Sequence, residues 1–154
     1  MDSIKITSLI MPAIRFSSNR QDIININRRS AESKNGISII ELSMLDGLMD
    51  KETAESIRQS IITKKVPVRQ LTNLSEIYAE WTQFARELQE LMQIRYISQE
   101  LFDIQNEILI FDDIVAIYRV EPDISYIEIE DPSYASMMRT FFDNLWNISQ
   151  AMIW

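Results

Sequence analysis

The chain has 154 residues, a net charge of −8, 46% hydrophobic residues and only six glycines and prolines, which suits one folded domain and excludes a disordered or low-complexity protein. It contains no histidine and no cysteine, so histidine-dependent triads, histidine-mediated phosphoryl transfer, thiol nucleophiles and ordinary zinc sites are all unavailable to it. With Gly36 and Gly47 as its only glycines, it also lacks a glycine-rich loop able to cradle a phosphate.

Charge is unevenly spread. Residues 1–35 carry six basic and three acidic side chains, residues 36–98 seven and nine, and residues 99–154 two and eleven. The acidic last third would repel nucleic acid, whose binding rests on phosphate neutralisation, so no direct nucleic-acid contact is expected. The basic stretch RQDIININRR reads as a solvated face or a contact for an acidic surface. No apolar run is long enough to span a bilayer, and MDSIKITSLIMPAIRF opens on an acid, so no membrane or secretory role is expected and the cytoplasm is the expected compartment.

In chain order, residues 4–11 (IKITSLIM) and 23–27 (IININ) are rich in β-branched side chains and read as strands, with Pro12 between them. GISIIEL, 36–42, follows a glycine-marked turn and reads as a firmer strand; SMLDGLM reads as a loop. Asp50 offers an N-cap to a helix through KETAESIRQSII, where Ala54, Ile57 and Ile61 share a face, and the helix ends near Lys64 and Lys65. VPVRQL, 66–71, is the next strand, with Pro67 near its start. Asn73 with Glu76 has capping-box spacing and predicts a long helix bearing Ile77, Trp81, Phe84, Leu88 and Leu91 on one stripe.

Further on, QIRYIS (93–98) is a strand, and 107–111 with 114–120 form a hairpin around Asp112 and Asp113. SYIEIE (125–130) alternates as a strand with one wet face. Asp131 then caps a helix with Pro132 at its first position. Tyr134, Met137, Met138, Phe141, Phe142, Leu145, Trp146 and Ile148 give that helix a wide aromatic face, and Phe141, Phe142, Leu145 and Trp146 are the candidate dimer interface. The order implies an α/β fold with a mixed β-sheet flanked by helices. Residues 1–154 are expected to be a single domain, with a strand-rich segment over 1–35.

The run VPVRQL, helix, IRYIS, IQNEILIFDDIVAIYRV, YIEIE and ASMMRTFFDNLWNIS resembles the single-copy phospholipase D-like fold over residues 36–150. It is most similar to the non-catalytic version that serves as effector domain in TrmB-type transcription regulators; the FDDIVAI turn and the FFDNLW helix carry most of the likeness. Active members have His, Lys two residues later, Asp after four more, and a later Gly-Ser. Setting Asp112 on the family Asp puts Gln105 at the His position, Glu107 at the Lys position, and Arg119 and Val120 on the Gly-Ser. Only the aspartate matches. The resemblance therefore implies a domain without the phosphodiesterase reaction, because Gln105 is a poor nucleophile and Glu107 would repel the phosphate that Lys attracts.

Two readings of the hairpin stand side by side. Asp112 and Asp113 are turn-tip residues, with Glu107 and Arg119 a cross-strand ion pair. Alternatively, Gln105, Glu107, Asp112 and Arg119 line a relic cleft for a small polar ligand, sugar-like or, with Arg69 and Arg95 converging on Arg119, anionic. The spacing of Asp103, Glu107, Asp112 and Asp113 lacks the pattern and glycine of an EF-hand loop, so neither metal nor cofactor is expected.

What the resemblance implies about function is a regulatory domain that senses a ligand or pairs as a homodimer, working with a DNA-binding partner or a helix-turn-helix module that residues 1–35 are too short to supply. Two alternatives remain: an assembly module with no small ligand, and an enzyme using Asp112, Glu107 or Tyr118 as acid or base.

Overall fold

The computed structural model describes residues 12–43, 45–76 and 85–153. Among these, eight strands form one sheet. The strands are β1 (Ala13–Ser17), β2 (Ile37–Glu41), β3 (Val68–Thr72), β4 (Met92–Tyr96), β5 (Glu107–Phe111), β6 (Ile114–Arg119), β7 (Ser125–Glu130) and β8 (Gln150–Ala151), in the order β1-β7-β6-β5-β2-β3-β4-β8. β2, β3 and β4 run parallel and every other pairing is antiparallel, so the sheet is mixed as expected. The helices are α1 (Arg20–Ser30), α2 (Leu45–Leu48), α3 (Lys51–Lys64), α4 (Ala85–Gln89) and α5 (Pro132–Ile148).

All five residues of β2 are buried because it lies mid-sheet with both faces covered; such a strand reads as a continuous apolar run. It starts after Gly36, whose φ of +85° is left-handed and whose added Cβ would sit 3.0 Å from the Pro67 carbonyl oxygen. α3 starts where Asp50 accepts from the Thr53 amide at 2.9 Å, and ends at Lys65, in the left-handed conformation, where the Val66 amide reaches back to the Ile61 carbonyl. α5 starts as predicted, with the Asp131 carboxylate accepting from the Ser133 and Tyr134 amides.

Alternation along the strands sorts side chains onto two faces. Toward α1 and α3 point Ile37, Ile39, Val68, Leu109, Phe111, Ile114, Ala116, Tyr118 and Tyr126, which pack with Ile23, Ile26, Ala54, Ile57 and Ile61. Toward α5 point Ile40, Leu71, Ile110 and Val115, which pack with Ala135 and Phe142.

Several expectations are corrected. IININ is not a strand but the middle of α1: Asn19 caps it by accepting from the Gln21 amide, and Ile23, Ile26, Asn27 and Ser30 fall on one buried face. Helical spacing and a cap outweigh β-branched composition there. The N-terminal part is therefore not strand-rich within the described residues; α1 supplies Ile23 and Ile26 to the main core, and the predicted strand 4–11 lies outside the described residues. SMLDGLM contains the short helix α2, which buries Leu48.

Asn73 caps nothing. Its amide donates to the carbonyls of Ile97 and Phe102 and its oxygen accepts from the Ile104 amide, so it fastens the loop after β4 instead. Of the helix predicted behind it, positions 77–84 lie outside the described residues, while Leu88 on α4 is buried as expected. β1 and β8 had no counterpart in the expected order; both are short edge strands, β1 following Pro12 directly.

Candidate functional site

At the end of the sheet where β2 leaves and β5 enters, a cavity of about 300 Å³ is lined by Leu42, Ser43, Gly47, Leu48, Glu107, Arg119, Val120 and Glu121. Its floor is Glu107, the first residue of β5 and only 2% exposed. Oε1 accepts from the Ser43 amide at 3.2 Å and the Ser43 hydroxyl at 3.1 Å. Oε2 is buried with no hydrogen-bond partner among the described residues. Gly47 makes the Ser43 contact feasible, since a Cβ there would lie 2.8 Å from the Ser43 hydroxyl.

Burial pushes the Glu107 carboxyl up to about 7, against the opposing effect of the Ser43 hydrogen bonds. The neighbouring Glu41, last in β2, is raised still more clearly, first by burial and then by the Glu107 charge. Both carboxyls act on the Tyr118 hydroxyl, itself raised by burial and by those two acids, and the Asn27 amide donates to it at 3.2 Å. Beside them Arg58 of α3, nearly buried, donates to Glu55 at 2.6 Å and to Asp46. The result is a polar seam inside an otherwise apolar layer, with two acids whose carboxyls burial pushes up. Arg119 closes the rim: Nη2 donates to Asp123 at 2.9 Å and Nη1 to Asn106 at 3.4 Å.

The structure separates most of the predicted site set. In the β5–β6 register Glu107 faces Tyr118, not Arg119, and Arg119 projects to the opposite side of the sheet, so the expected Glu107–Arg119 ion pair does not form. They meet only as parts of the cavity wall. Gln105 is exposed and donates to Asp103 at 2.6 Å, outside the cavity.

Asp112 stands at the far end of β5 from Glu107, roughly 17 Å away at strand rise. Its φ is +48°, and Oδ1 accepts from the Ser33 hydroxyl at 3.1 Å and the amides of Lys34 and Asn35 at 3.1 and 3.3 Å, while its carbonyl accepts from Arg139. It is a turn-tip clamp, and Asp113 beside it is exposed.

Arg69 and Arg95 do not converge on Arg119. Three strand spacings, roughly 14 Å, lie between β3 and β6. Both arginines instead grip α5: Arg69 pairs with Asp143 at 2.8 Å and lies 4.8 Å over the Phe142 ring, and Arg95 lies 5.3 Å over the Trp146 ring and donates to Ser149.

The candidate interface also divides. Phe142 is 0% exposed, in the core beneath α5, and therefore cannot meet a partner's surface, while Leu145 and Trp146 are half-buried beside it. Tyr134, Met137, Phe141 and Ile148 form the outward stripe. Sequence reading missed Glu41, Ser43, Tyr118 as a partner of the acids, and the Asn27–Arg58 seam. Glu41 was the detectable one, an acid inside the apolar run ISIIE.

No family model and no curated protein matches this sequence. Solved structures do match. NucT from Helicobacter pylori superposes with a TM-score of 0.68 at 8% identity, covering 92% of this chain and 100% of that one. TrmBL2, described as an archaeal chromatin protein with a novel mode of DNA binding, gives 0.66 at 12% identity over 96% of this chain. Nuc from Salmonella typhimurium, a phospholipase D family member, gives 0.58 at 13% identity over 92% of this chain and 99% of that one. The fold is phospholipase D-like. Within that fold the chain resembles the TrmB-type domain, and it spans 57% of the length of TrmBL2. With Asp112 set on the family aspartate, the residue of the sheet-end cavity that falls at the family's Lys position is Glu107. No described helix is long and apolar enough to cross a membrane.

Proposed function

We propose that this phospholipase D-like chain is a non-catalytic regulatory domain that binds a small polar ligand in the sheet-end cavity and acts with a DNA-binding partner in the cytoplasm. The observation that carries this reading is Glu107. A buried carboxyl that burial keeps protonated near neutrality, where an active relative would need a lysine, disfavours a phosphodiester and favours a neutral, hydroxyl- or amide-bearing molecule. Arg119 at the rim adds a donor. The similarity to TrmBL2 supports a link to DNA, and the acidic last third of the sequence argues that a partner makes that contact.

A thermal-shift panel of sugars, nucleosides and inorganic anions tests it. A ligand at 100 times its Kd adds about 2.7 kcal/mol, and Glu107→Gln or Arg119→Ala should abolish the shift for the responding compound. Turnover of bis(p-nitrophenyl) phosphate by the pure chain would overturn the non-catalytic reading. A second reading, assembly without a ligand, is favoured by the exposed stripe Tyr134, Met137, Phe141 and Ile148 on α5. A silent panel, together with a dimer in gel filtration that Met137→Glu dissolves, would select it.

A further inference from the structure

A second cavity, of about 60 Å³, lies under the same sheet face between β2, β3, β5 and the helices α1, α3 and α4; it shares no lining residue with the sheet-end cavity. We propose that it binds a short-chain primary alkylammonium ion, the ammonium held by Glu41 and the alkyl tail lying among Ile39, Ile57, Ile61, Val68 and Leu109. At about 10–15 Å³ per water-sized group, the space takes a chain of roughly four to six heavy atoms.

Three observations define that ligand. First, Glu41 lines the cavity, is only 6% exposed, and its Oε2 has no hydrogen-bond partner among the described residues. A buried acceptor left in that state costs about 1–3 kcal/mol, which a donor-bearing ligand would recover.

Second, the charge balance around Glu41 favours a cation. Arg58 is the cation lining the cavity; its guanidinium hydrogen-bonds Glu55 and Asp46 and acts on Glu41 only through space, more weakly than the burial and the Glu107 charge that oppose it. An anionic head would meet the Glu41 carboxyl with Glu107 beside it, whereas an ammonium would donate to the free oxygen and favour the ionised form of Glu41 that burial opposes.

Third, nine of the fourteen lining side chains are apolar, and the polar ones near the head are committed: Ser30 donates to the Asn27 carbonyl, and the Asn27 amide donates to the Ile23 carbonyl and the Tyr118 hydroxyl. A file of waters needs two to four polar partners each, which a wall with nine apolar side chains offers only around Glu41 and Gln70. An alkyl chain needs none.

The test uses the full chain and calorimetric titration with n-butylammonium chloride, set beside ammonium chloride, butan-1-ol and butyrate. Saturable binding of butylammonium, at least about tenfold tighter than any of the other three, is expected, that ratio being what one charged hydrogen bond contributes. Glu41→Gln, nearly isosteric, should remove that preference, and Val68→Ile, which takes up cavity space, should weaken butylammonium without touching ligands of the sheet-end cavity. Equal binding of butan-1-ol, undiminished binding in Glu41→Gln, or no heat with butylammonium would each overturn the proposal. Should Glu41→Gln fail to fold, the four-ligand comparison and Val68→Ile decide alone. Val68→Ile separates this ligand from a sheet-end one, because Val68 lines only the second cavity.

Discussion

The two faces of the sheet are built from the same strands yet differ in kind. Beneath α5 the layer is Ile40, Leu71, Ile110, Val115 and Phe142, with its charges, Arg69 and Arg95, held at the margin against aromatic rings. Beneath α1 and α3 the layer is interrupted by Glu41, Glu107, Tyr118 and Asn27, buried in a seam whose acids keep two oxygens unsatisfied. A protein selected for stability alone would fill that seam with apolar side chains, since buried carboxyls cost free energy unless paired. The α5 layer is therefore continuous and apolar, whereas the larger α1/α3 layer carries the buried acids.

The largest expected effect tests the supporting face. Phe142→Ala should lose about 3–5 kcal/mol in urea unfolding, the usual cost of emptying an aromatic site in a packed core. Its neighbour Phe141 is 37% exposed and touches Phe102 edge-on at 5.8 Å, so truncation there should cost much less. Equal losses would erase the distinction between the buried and outward sides of α5.

The next effect tests the seam through pH. Glu107 titrates at about 7 in the fold against 4.5 when unfolded, so the native state binds more protons between those values. Stability contributed by the protonated form is present in full below about pH 4.5 and declines as pH rises through 7, by at most about 1.4 kcal/mol for each pH unit crossed. Glu107→Gln should flatten this slope in denaturation curves taken from pH 4.5 to 8. A slope unchanged by the substitution would place the proton elsewhere, with Glu41 the next candidate.

How much of this was legible in the sequence follows from range. The hairpin, the capped helices α3 and α5, and the strands β2 to β7 are written in local spacing and caps, and the phospholipase D-like resemblance supplied the fold class, a mixed sheet flanked by helices, though not the strand order. Local composition misled at IININ, where a β-branched stretch sits on a helix because Asn19 and the i, i+3, i+4 burial of Ile23, Ile26 and Asn27 decide the outcome. The site was legible only in part. Glu107 was singled out by alignment, but register, which no single sequence states, paired it with Tyr118 and sent Arg119 to the other face. Ser43 and Glu41 come from a stretch more than sixty residues earlier, brought alongside by β2–β5 pairing.

The smallest expected effect concerns Asp112, away from both cavities. Asp112→Ala removes the acceptor for Ser33, Lys34 and Asn35 and places a β-carbon residue without a compensating side chain at a positive φ, so a loss of about 1–2 kcal/mol is expected by thermal unfolding. Asp112→Asn, which keeps an oxygen acceptor and tolerates that backbone, should recover most of it. Neither change should alter ligand response in the sheet-end cavity; if either did, the two ends of β5 would be energetically linked.

That clamp has a wider bearing. The connection between α1 and β2 is solvent-facing and would be expected to fray, yet it is stapled to a hairpin tip that Arg139 of α5 also holds. The hairpin tip thus ties the helix on one face of the sheet to the end of the helix on the other.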